Sequence, residues 1–240
     1  MTEYLISDLH LYPQWVEHPG RELFHSFLEK LAEEEPGRLW ILGDLFDYWF
    51  EYRTVMPSGF TSTLCLLQKL KGRGWKTVFI PGNHDWWCGR LLEEASGMEI
   101  VRKDCCRITI QGLKCLFSHG DGMGKGDTGY RLMKPLLRSS VSTFLFYCLH
   151  PDTAAFIAGL FSNTSKRILR KRVDTIPACL ARWAQERKKE GIDLVVTGHT
   201  HCPAVTEMEG LIHASTGDWI THFTYLTISE GQIKLNEYKA

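Results

Sequence analysis

The sequence predicts an α/β protein with a mostly parallel sheet. The first observation is that short apolar runs alternate with amphipathic segments over residues 2–80, in the order βαβαβ. The second is that these apolar runs end in polar residues. The third is a hydrophobic content of 44% over 240 residues, which can supply a sizeable core. We therefore expect one domain, residues 1–240, with polar side chains gathered at the carboxyl ends of its strands.

The hydrophobic pattern assigns the elements in order. Short apolar or β-branched runs predict strands, and apolar residues at three- and four-residue spacing predict helices. The predicted elements are strand 2–7, helix 21–34, strand 39–42, helix 60–71, strand 76–80, strands 105–110 and 114–117, strand 194–197, and short strands near 205, 211–214, 223–229 and 233–238. The pair at 105–117 predicts a hairpin, and the last strands predict an antiparallel end to the chain.

Polar side chains follow five of these strands. They are Asp8, His10, Asp44, Asn83, His84, His119, His199 and His201. Asp8 and His10 are two residues apart, so in extended geometry both would point the same way. One histidine at a strand end is more often structural than functional, but five at successive strand ends predict a metal centre.

The donor set suggests which metals the centre takes. Mixed aspartate and histidine ligands favour manganese, iron or zinc over calcium, and we expect manganese, with iron and zinc as alternatives. The set exceeds the positions of one ion, and Asp44 could bridge, so we expect two divalent ions. Two such ions lower the pKa of a shared water and stabilise both oxygens in phosphoryl transfer, which predicts hydrolysis of a phosphate ester or anhydride.

Residues 122–190 predict a helical insertion without strands. Two apolar runs, 141–149 and 154–161, lie on either side of Pro151. We expect these runs to bury one another, although an acyl chamber or a membrane could cover them instead, and both could be true with one face of each run. Residues 164–189 are basic, which is typical of a solvated helix face, with a diphosphate or anionic lipid head groups as the alternative.

Composition excludes several classes of protein. Lysine plus arginine equals aspartate plus glutamate, at 28 each, so no global charge favours nucleic acid as a partner. Eight cysteines without a Cys-x-x-Cys pair, and no signal peptide before the first strand, predict reduced thiols in a cytoplasmic protein. No apolar run reaches the roughly 18 residues that span a bilayer, so membrane contact would be peripheral, at the inner membrane and through the insertion. No obligate protein partner is evident.

Five short blocks carry a resemblance to a known family. They are Asp8-x-His10, Gly43-Asp44-x-x-Asp47, Gly82-Asn83-His84-Asp85, His119-Gly120-Asp121 and Gly198-His199-x-His201. Together, and in this order, they resemble the calcineurin-like metallophosphoesterases. The resemblance implies a four-layer α/β/β/α sandwich, here with a helical cap formed by the insertion.

The resemblance also implies a role for each site residue. It places one ion on Asp8, His10, Asp44 and His201, and the other on Asp44, Asn83, His119 and His199. His84 and Asp44 would be the catalytic residues, with His84 stabilising or protonating the leaving group. Asp47 and Asp85 would orient their neighbours.

Within that superfamily the chain is similar to the UDP-2,3-diacylglucosamine diphosphatases of lipid A synthesis. This likeness implies a lipid-linked UDP-sugar substrate, cleaved to UMP and 2,3-diacylglucosamine 1-phosphate. The implied substrate contacts are Asn83, His84, Asp127, Asn163, Lys166 and His199, and Tyr130 also matches. The proteobacterial enzymes have arginine where this chain has His84. A soluble nucleotide or phosphodiester substrate is the alternative, and a non-catalytic scaffold is a third reading.

Overall fold

A computed structural model describes residues 1–124, 128–157, 159 and 176–239. The strands are β1 (Glu3–Ile6), β2 (Arg38–Ile41), β3 (Lys76–Phe79), β4 (Glu99–Ile100), β5 (Cys105–Ile110), β6 (Leu113–Ser118), β7 (Leu194–Thr197), β8 (Ala204–Met208), β9 (Leu211–Ser215), β10 (Thr224–Ser229) and β11 (Gln232–Glu237). The helices are α1 (Arg21–Leu31), α2 (Thr61–Gly72), α3 (Arg90–Ser96), α4 (Thr128–Leu137), α5 (Ser140–Tyr147), α6 (151–157) and α7 (Ala178–Glu186), followed by a 3₁₀ turn (Arg187–Glu190).

The strands form two sheets. The first has six strands in the order β11-β10-β1-β2-β3-β4, and the second has five in the order β5-β6-β7-β9-β8. β1 to β4 are parallel, as are β6, β7 and β9. Each parallel core therefore presents its carboxyl ends at one edge, where the loops that carry the polar side chains emerge.

Helices cover the outer face of each sheet, which makes four layers. Apolar side chains of α1, α2 and α3 pack on the first sheet, with Phe27 and Leu67 fully buried. Between the sheets, Trp40 and Leu42 of the first meet Phe117 and Val196 of the second. α7 covers the second sheet through Ala184. The predicted α/β fold class and the α/β/β/α layering are confirmed.

The structure adds and corrects several elements. α3 and β4 were absent from the predicted list. The antiparallel end is only partly right, because β9 pairs with β7 in parallel while β8 and β10 pair antiparallel with their neighbours. No disulfide joins any of the eight cysteines, all of which the structure describes. No helix in the described ranges combines the length and apolar character needed to cross a bilayer.

The insertion between β6 and β7 departs from expectation in its packing. Phe146 of α5 stacks on Trp87 with ring centroids 6.2 Å apart, so one side of α5 rests on the core. The opposite side faces outward, because Phe144 is 65% exposed, and Phe156 of α6 is 68% exposed. The expected mutual burial of the two apolar runs is therefore wrong for these residues. Of the basic run, residues 164–175 lie outside the described residues, and α7 with the 3₁₀ turn covers residues 178–190.

Candidate metal centre

The loops after β1, β2, β3, β6 and β7 converge at one edge of the sandwich. Backbone hydrogen bonds fix them to one another: the N–H of Asp8 donates to Gly43 O over 3.1 Å, and that of His10 donates to Asp44 O over 2.8 Å. From the second sheet, Gly198 N donates to His119 O over 2.9 Å. The eight polar residues singled out from the sequence therefore share one site, built by both sheets.

Five residues of this site have left-handed backbone conformations. Their φ angles are 55° at Asp8, 49° at His10, 52° at Asp44, 66° at His199 and 58° at His201. The extended geometry expected for Asp8 and His10 is wrong, although their side chains do converge. Non-glycine residues adopt such angles at a cost of order 1–3 kcal/mol, and they cluster where function requires it.

Asp8, His10 and His201 form what we call the first ligand group. Asp8 Oδ1 lies 3.8 Å from His10 Nε2 and 3.5 Å from His201 Nε2. The His10 and His201 rings stack with centroids 5.2 Å apart. The other oxygen of Asp8 accepts hydrogen bonds from Ser7 Oγ and, over 2.8 Å, from His199 N. Asp8 therefore keeps Oδ1 directed at the two imidazoles.

Asp44, His119 and His199 form the second ligand group, with Asn83 beside it. The ligand atoms of the three residues lie within 4.8 Å of one another. Asn83 Oδ1 lies 3.1 Å from His119 Nε2. His119 donates from Nδ1 to Leu42 O over 2.8 Å, which fixes its ring and leaves Nε2 facing the centre.

Asp44 connects the two groups. Its Oδ2 atom lies 3.6 Å from His10 Nε2 and 3.2 Å from His119 Nε2, so one oxygen stands between an imidazole of each group. Its Oδ1 atom accepts a hydrogen bond from His84 N over 3.0 Å. A carboxylate in this position can bridge two cations.

The residues present fit divalent metal ions. Asp8 Oδ1 and both ring nitrogens of His10 are buried without a hydrogen-bond partner in the described part of the chain. Buried polar atoms are ordinarily paired, because leaving one unpaired costs about 1–3 kcal/mol. A cation coordinated by these atoms would remove that cost, and the mixture of imidazole, carboxylate and amide suits manganese, iron or zinc.

Asp85 and Asp47 hold the surrounding loops. The buried carboxylate of Asp85 accepts from Gly82 N over 2.8 Å, Asp44 N over 3.3 Å and Phe46 N over 3.2 Å, so it joins the loops after β2 and β3. Asp47 Oδ1 lies 3.6 Å from His10 Nδ1. Both carboxylates thus contact the loops or side chains that carry the ligand groups, and their orienting roles stay predictions.

The charges of the site follow from burial and from opposite partners. Burial would raise the pKa of Asp44, but His119, His84 and His10 lower it well below its usual value. Burial opposes charge on His119, yet Asp44 raises the pKa of that imidazole to about 10. Burial, with Asp44 nearby, raises the pKa of Asp85 to about 7. The bridging position is therefore the anionic one.

His84 lies beside the first ligand group. Its ring stands perpendicular to that of His10 with centroids 4.7 Å apart, and its Nδ1 donates to Asp47 O over 2.7 Å. The remaining nitrogen, Nε2, is the one that can exchange a proton with a bound molecule.

Three predicted substrate contacts, Asp127, Asn163 and Lys166, lie outside the described residues. Tyr130, which also matches the UDP-2,3-diacylglucosamine diphosphatases, donates a hydrogen bond from its hydroxyl group to Asp121 Oδ2 over 2.8 Å. Asp121 also pairs with Lys134 and Arg138, so the loop after β6 is attached to α4 and the turn that follows it.

Sequence reasoning missed Asp218. It follows β9, and its Oδ2 atom lies 3.4 Å from His201 Nδ1. The sequence signal was weak, because one acidic residue after one strand matches none of the five blocks. Its one indication in the sequence is that Asp218 follows the predicted strand 211–214.

Comparison with known proteins gives the same family. The model of the family described as calcineurin-like phosphoesterase matches residues 1–203. The chain is 30% identical to a UDP-2,3-diacylglucosamine hydrolase of Haemophilus influenzae over 90% of each chain. It is 28% identical to one of Porphyromonas gingivalis over 92% of each chain. It is also 29% identical to a UDP-2,3-diacylglucosamine hydrolase of Shewanella baltica, over 98% of this chain and 96% of the relative. The chain belongs to the calcineurin-like phosphoesterases, a family of hydrolases.

Proposed function

We propose that the chain is a binuclear-metal hydrolase that cleaves the pyrophosphate of UDP-2,3-diacylglucosamine to UMP and 2,3-diacylglucosamine 1-phosphate. The observation that carries the reaction class is the position of Asp44 Oδ2 between imidazoles of the two ligand groups. The names of the relatives supply the substrate. A non-catalytic scaffold would be expected to have lost ligands, whereas all seven predicted ones are present.

The metal ions would be held by the two ligand groups, with Asn83 on the second. When bound, divalent ions supply a hydroxide from water at neutral pH and offset the negative charge of the phosphates. Manganese is our proposed ion, with iron or zinc as alternatives that this donor set also accommodates.

His84 would act on the leaving group. Its Nδ1–H is held by Asp47 O at 2.7 Å, so a protonated ring can donate only from Nε2. The backbone N–H of the same residue binds Asp44 at 3.0 Å, which ties its position to the bridging carboxylate. His84 would thus give a proton to the departing phosphate oxygen, or stabilise its charge.

Aromatic and apolar surfaces near the site support a lipid-linked substrate. A cavity of about 310 Å³ adjoins the loop that carries His84. Its lining combines aromatic with charged side chains: Phe50, Tyr52, Trp86, Trp87 and Tyr147 with Glu51, Arg53, Arg90 and Arg102. This volume is at the lower end of known ligand pockets. The aromatic side chains of the cavity suit an acyl chain and its arginines suit an anionic group, while Asp127, Asn163 and Lys166 remain predicted contacts for the sugar or diphosphate.

We propose a cytoplasmic location with peripheral attachment to the inner membrane through the insertion. Leu136 is 65% exposed and Phe144 is equally so, and such side chains partition into the head-group region of a bilayer. Co-sedimentation with anionic phospholipid vesicles tests this attachment. A Leu136→Ser/Phe144→Ser variant should sediment less than wild type, and equal sedimentation of the two proteins would contradict it.

Asp44→Ala tests the catalytic proposal. We expect loss of both turnover and metal loading, measured by release of UMP and by metal analysis of the purified protein. Asp193→Ala is the matched control. Asp193 precedes β7, at the end of that strand away from His199, and its carboxylate accepts a hydrogen bond from Lys114 N. An Asp44→Ala protein with wild-type rate and metal content would defeat the proposal.

A second assay separates the substrates. The lipid-linked UDP-sugar should be hydrolysed with a much higher kcat/KM than the same UDP-sugar without acyl chains. If the acyl chains make no difference, the soluble nucleotide alternative is the better reading, and the metal chemistry is unaffected.

A further inference from the structure

Asp218 occupies the turn between β9 and β10, directly beside the first ligand group. Its side chain is 2% exposed. Oδ1 accepts three backbone N–H groups, from Ile220 over 2.9 Å, Thr221 over 2.6 Å and His222 over 3.1 Å. Oδ2 lies 3.4 Å from His201 Nδ1 and 2.9 Å from His222 Nδ1. The carboxylate is therefore fixed by the backbone on one oxygen and presented to two imidazoles by the other.

The turn that carries Asp218 is held rigidly. Trp219 is fully buried, packs against Phe27 with centroids 5.1 Å apart, and donates its backbone N–H to Asp8 O over 3.2 Å. A Cβ atom at Gly20 would lie 1.8 Å from Trp219 O, so two backbone segments are in direct contact there. These contacts place Asp218 independently of His201, so its carboxylate is a fixed partner for that ring.

His201 needs such a fixed partner more than His10 and His119 do. Its side chain is 24% exposed, whereas His10 and His119 are almost completely enclosed. Each imidazole must keep a lone pair on the nitrogen that faces the centre. In His119 a neutral backbone carbonyl takes the other N–H, but His201 has a carboxylate in that position, which also raises the basicity of the ligating nitrogen.

We infer that Asp218 is a positioning residue that fixes the ring of His201 with its lone pair on Nε2. The cation position formed by the first ligand group then depends on Asp218, while the position formed by the second ligand group does not. This inference rests on the proposed function, because it requires that the site bind metal ions.

Asp218→Asn tests the inference with little change of shape. The three backbone N–H groups require the amide oxygen to take the place of Oδ1, so the amide N–H₂ group replaces Oδ2 and faces His201 Nδ1. Two donors would then meet, and the neutral ring relieves the conflict by moving its proton to Nε2. That tautomer cannot bind a cation through Nε2.

The readout is metal affinity, measured by isothermal titration of the metal-free protein with manganese and, separately, with zinc. We expect two binding events in wild type. In Asp218→Asn, one of them should weaken about 10–100-fold while the other is unchanged. Asp193→Asn is the matched control and should bind like wild type. Wild-type affinity at both positions in Asp218→Asn would overturn the inference, and so would equal weakening at both.

A measurement on wild type covers the case in which Asp218→Asn fails to fold. Long-range ¹H–¹⁵N spectra of the zinc-loaded protein should show a slowly exchanging proton on His201 Nδ1 and zinc on Nε2. A proton on Nε2, or zinc on Nδ1, would overturn the inference. Wild-type protein that binds no metal at all would instead defeat the proposed function, so the two failures are distinguishable.

Discussion

Replacing Arg138 with methionine should destabilise the protein by about 2 kcal/mol, because one guanidinium joins three parts of the molecule. Nη1 lies 2.6 Å from Asp104 Oδ1, just before β5, and Nη2 lies 3.0 Å from Asp121 Oδ2, in the loop after β6. The same group lies 3.5 Å from the ring centre of Trp86, two residues after His84. Arg138 therefore fastens the insertion to the site loops.

The magnitude follows from what remains after the substitution. Breaking a buried ion pair costs about 3–5 kcal/mol when the remaining charge has no partner. Here Asp121 keeps Lys134 at 2.9 Å and Tyr130 at 2.8 Å, so that full cost does not arise. What is lost is about 1.5–3 kcal/mol of charge-assisted hydrogen bonding and about 1–2 kcal/mol of cation–π attraction. Methionine packing and the hydration of half-exposed Asp104 return part of this, which leaves a net loss of about 2 kcal/mol.

Urea denaturation and thermal unfolding measure the effect. A loss of about 2 kcal/mol corresponds to a fall of roughly 4–8 °C in Tm for a chain of this size. Arg131→Met is the control, because Arg131 is exposed on α4 and, among the described residues, makes one hydrogen bond, to Gly124 O over 3.1 Å. Its loss should lower the free energy of unfolding by no more than about 0.5 kcal/mol. Arg138→Lys should fall between the two. Equal midpoints for Arg138→Met and Arg131→Met would refute the reasoning.

Two further substitutions test the site loops and the pH dependence. Gly82→Ala should lower the free energy of unfolding by about 1–3 kcal/mol and weaken metal binding, because its Cβ would lie 2.2 Å from Asp44 Oδ1. Gly72→Ala is the control and should not lower that free energy, because nothing lies within 4 Å of its Cβ. Equal Tm values for the two variants would contradict this. Burial lowers the pKa of His213 to about 4, so between pH 6.5 and 4 the unfolded chain binds more protons and stability falls as pH falls. His213→Gln lacks this penalty, and its free energy of unfolding relative to wild type should rise by about 2 kcal/mol from pH 6.5 to 4.5; parallel urea-unfolding profiles would show that the burial argument is wrong.

The arrangement of the site could be predicted from the sequence better than its backbone could. Polar residues after parallel strands of one sheet meet at one edge whatever their local conformation, so the convergence of Asp8 with Asp44 follows from topology alone. The convergence of Asp8 with His119 also requires the two sheets to dock with their carboxyl ends together. The left-handed angles at Asp8 and His10 could not be predicted, because non-glycine residues rarely adopt them and only the completed site compensates for them. Asp218 is recognisable only once β9 is known to lie beside β7.

The insertion shows a different limit of sequence reasoning. Periodicity indicates which side of a helix is apolar, but not what covers it. For α5, Phe146 is held by Trp87 and Phe50, whereas Phe144 points outward. Neighbouring residues of one apolar run therefore have opposite surroundings, which depend on contacts distant in sequence.

The candidate metal ligands come from both sheets, and this affects the stability of the fold. The first sheet provides Asp8, His10 and Asp44, and the second provides His119, His199 and His201. A cation held by this set binds only when the sheets are docked, so it acts as a reversible crosslink between two halves that otherwise meet through apolar side chains. At 100 times its Kd, such an ion adds about 2.7 kcal/mol to the free energy of unfolding. The proposed metal ions would then contribute to the stability of the folded protein as well as to its chemistry.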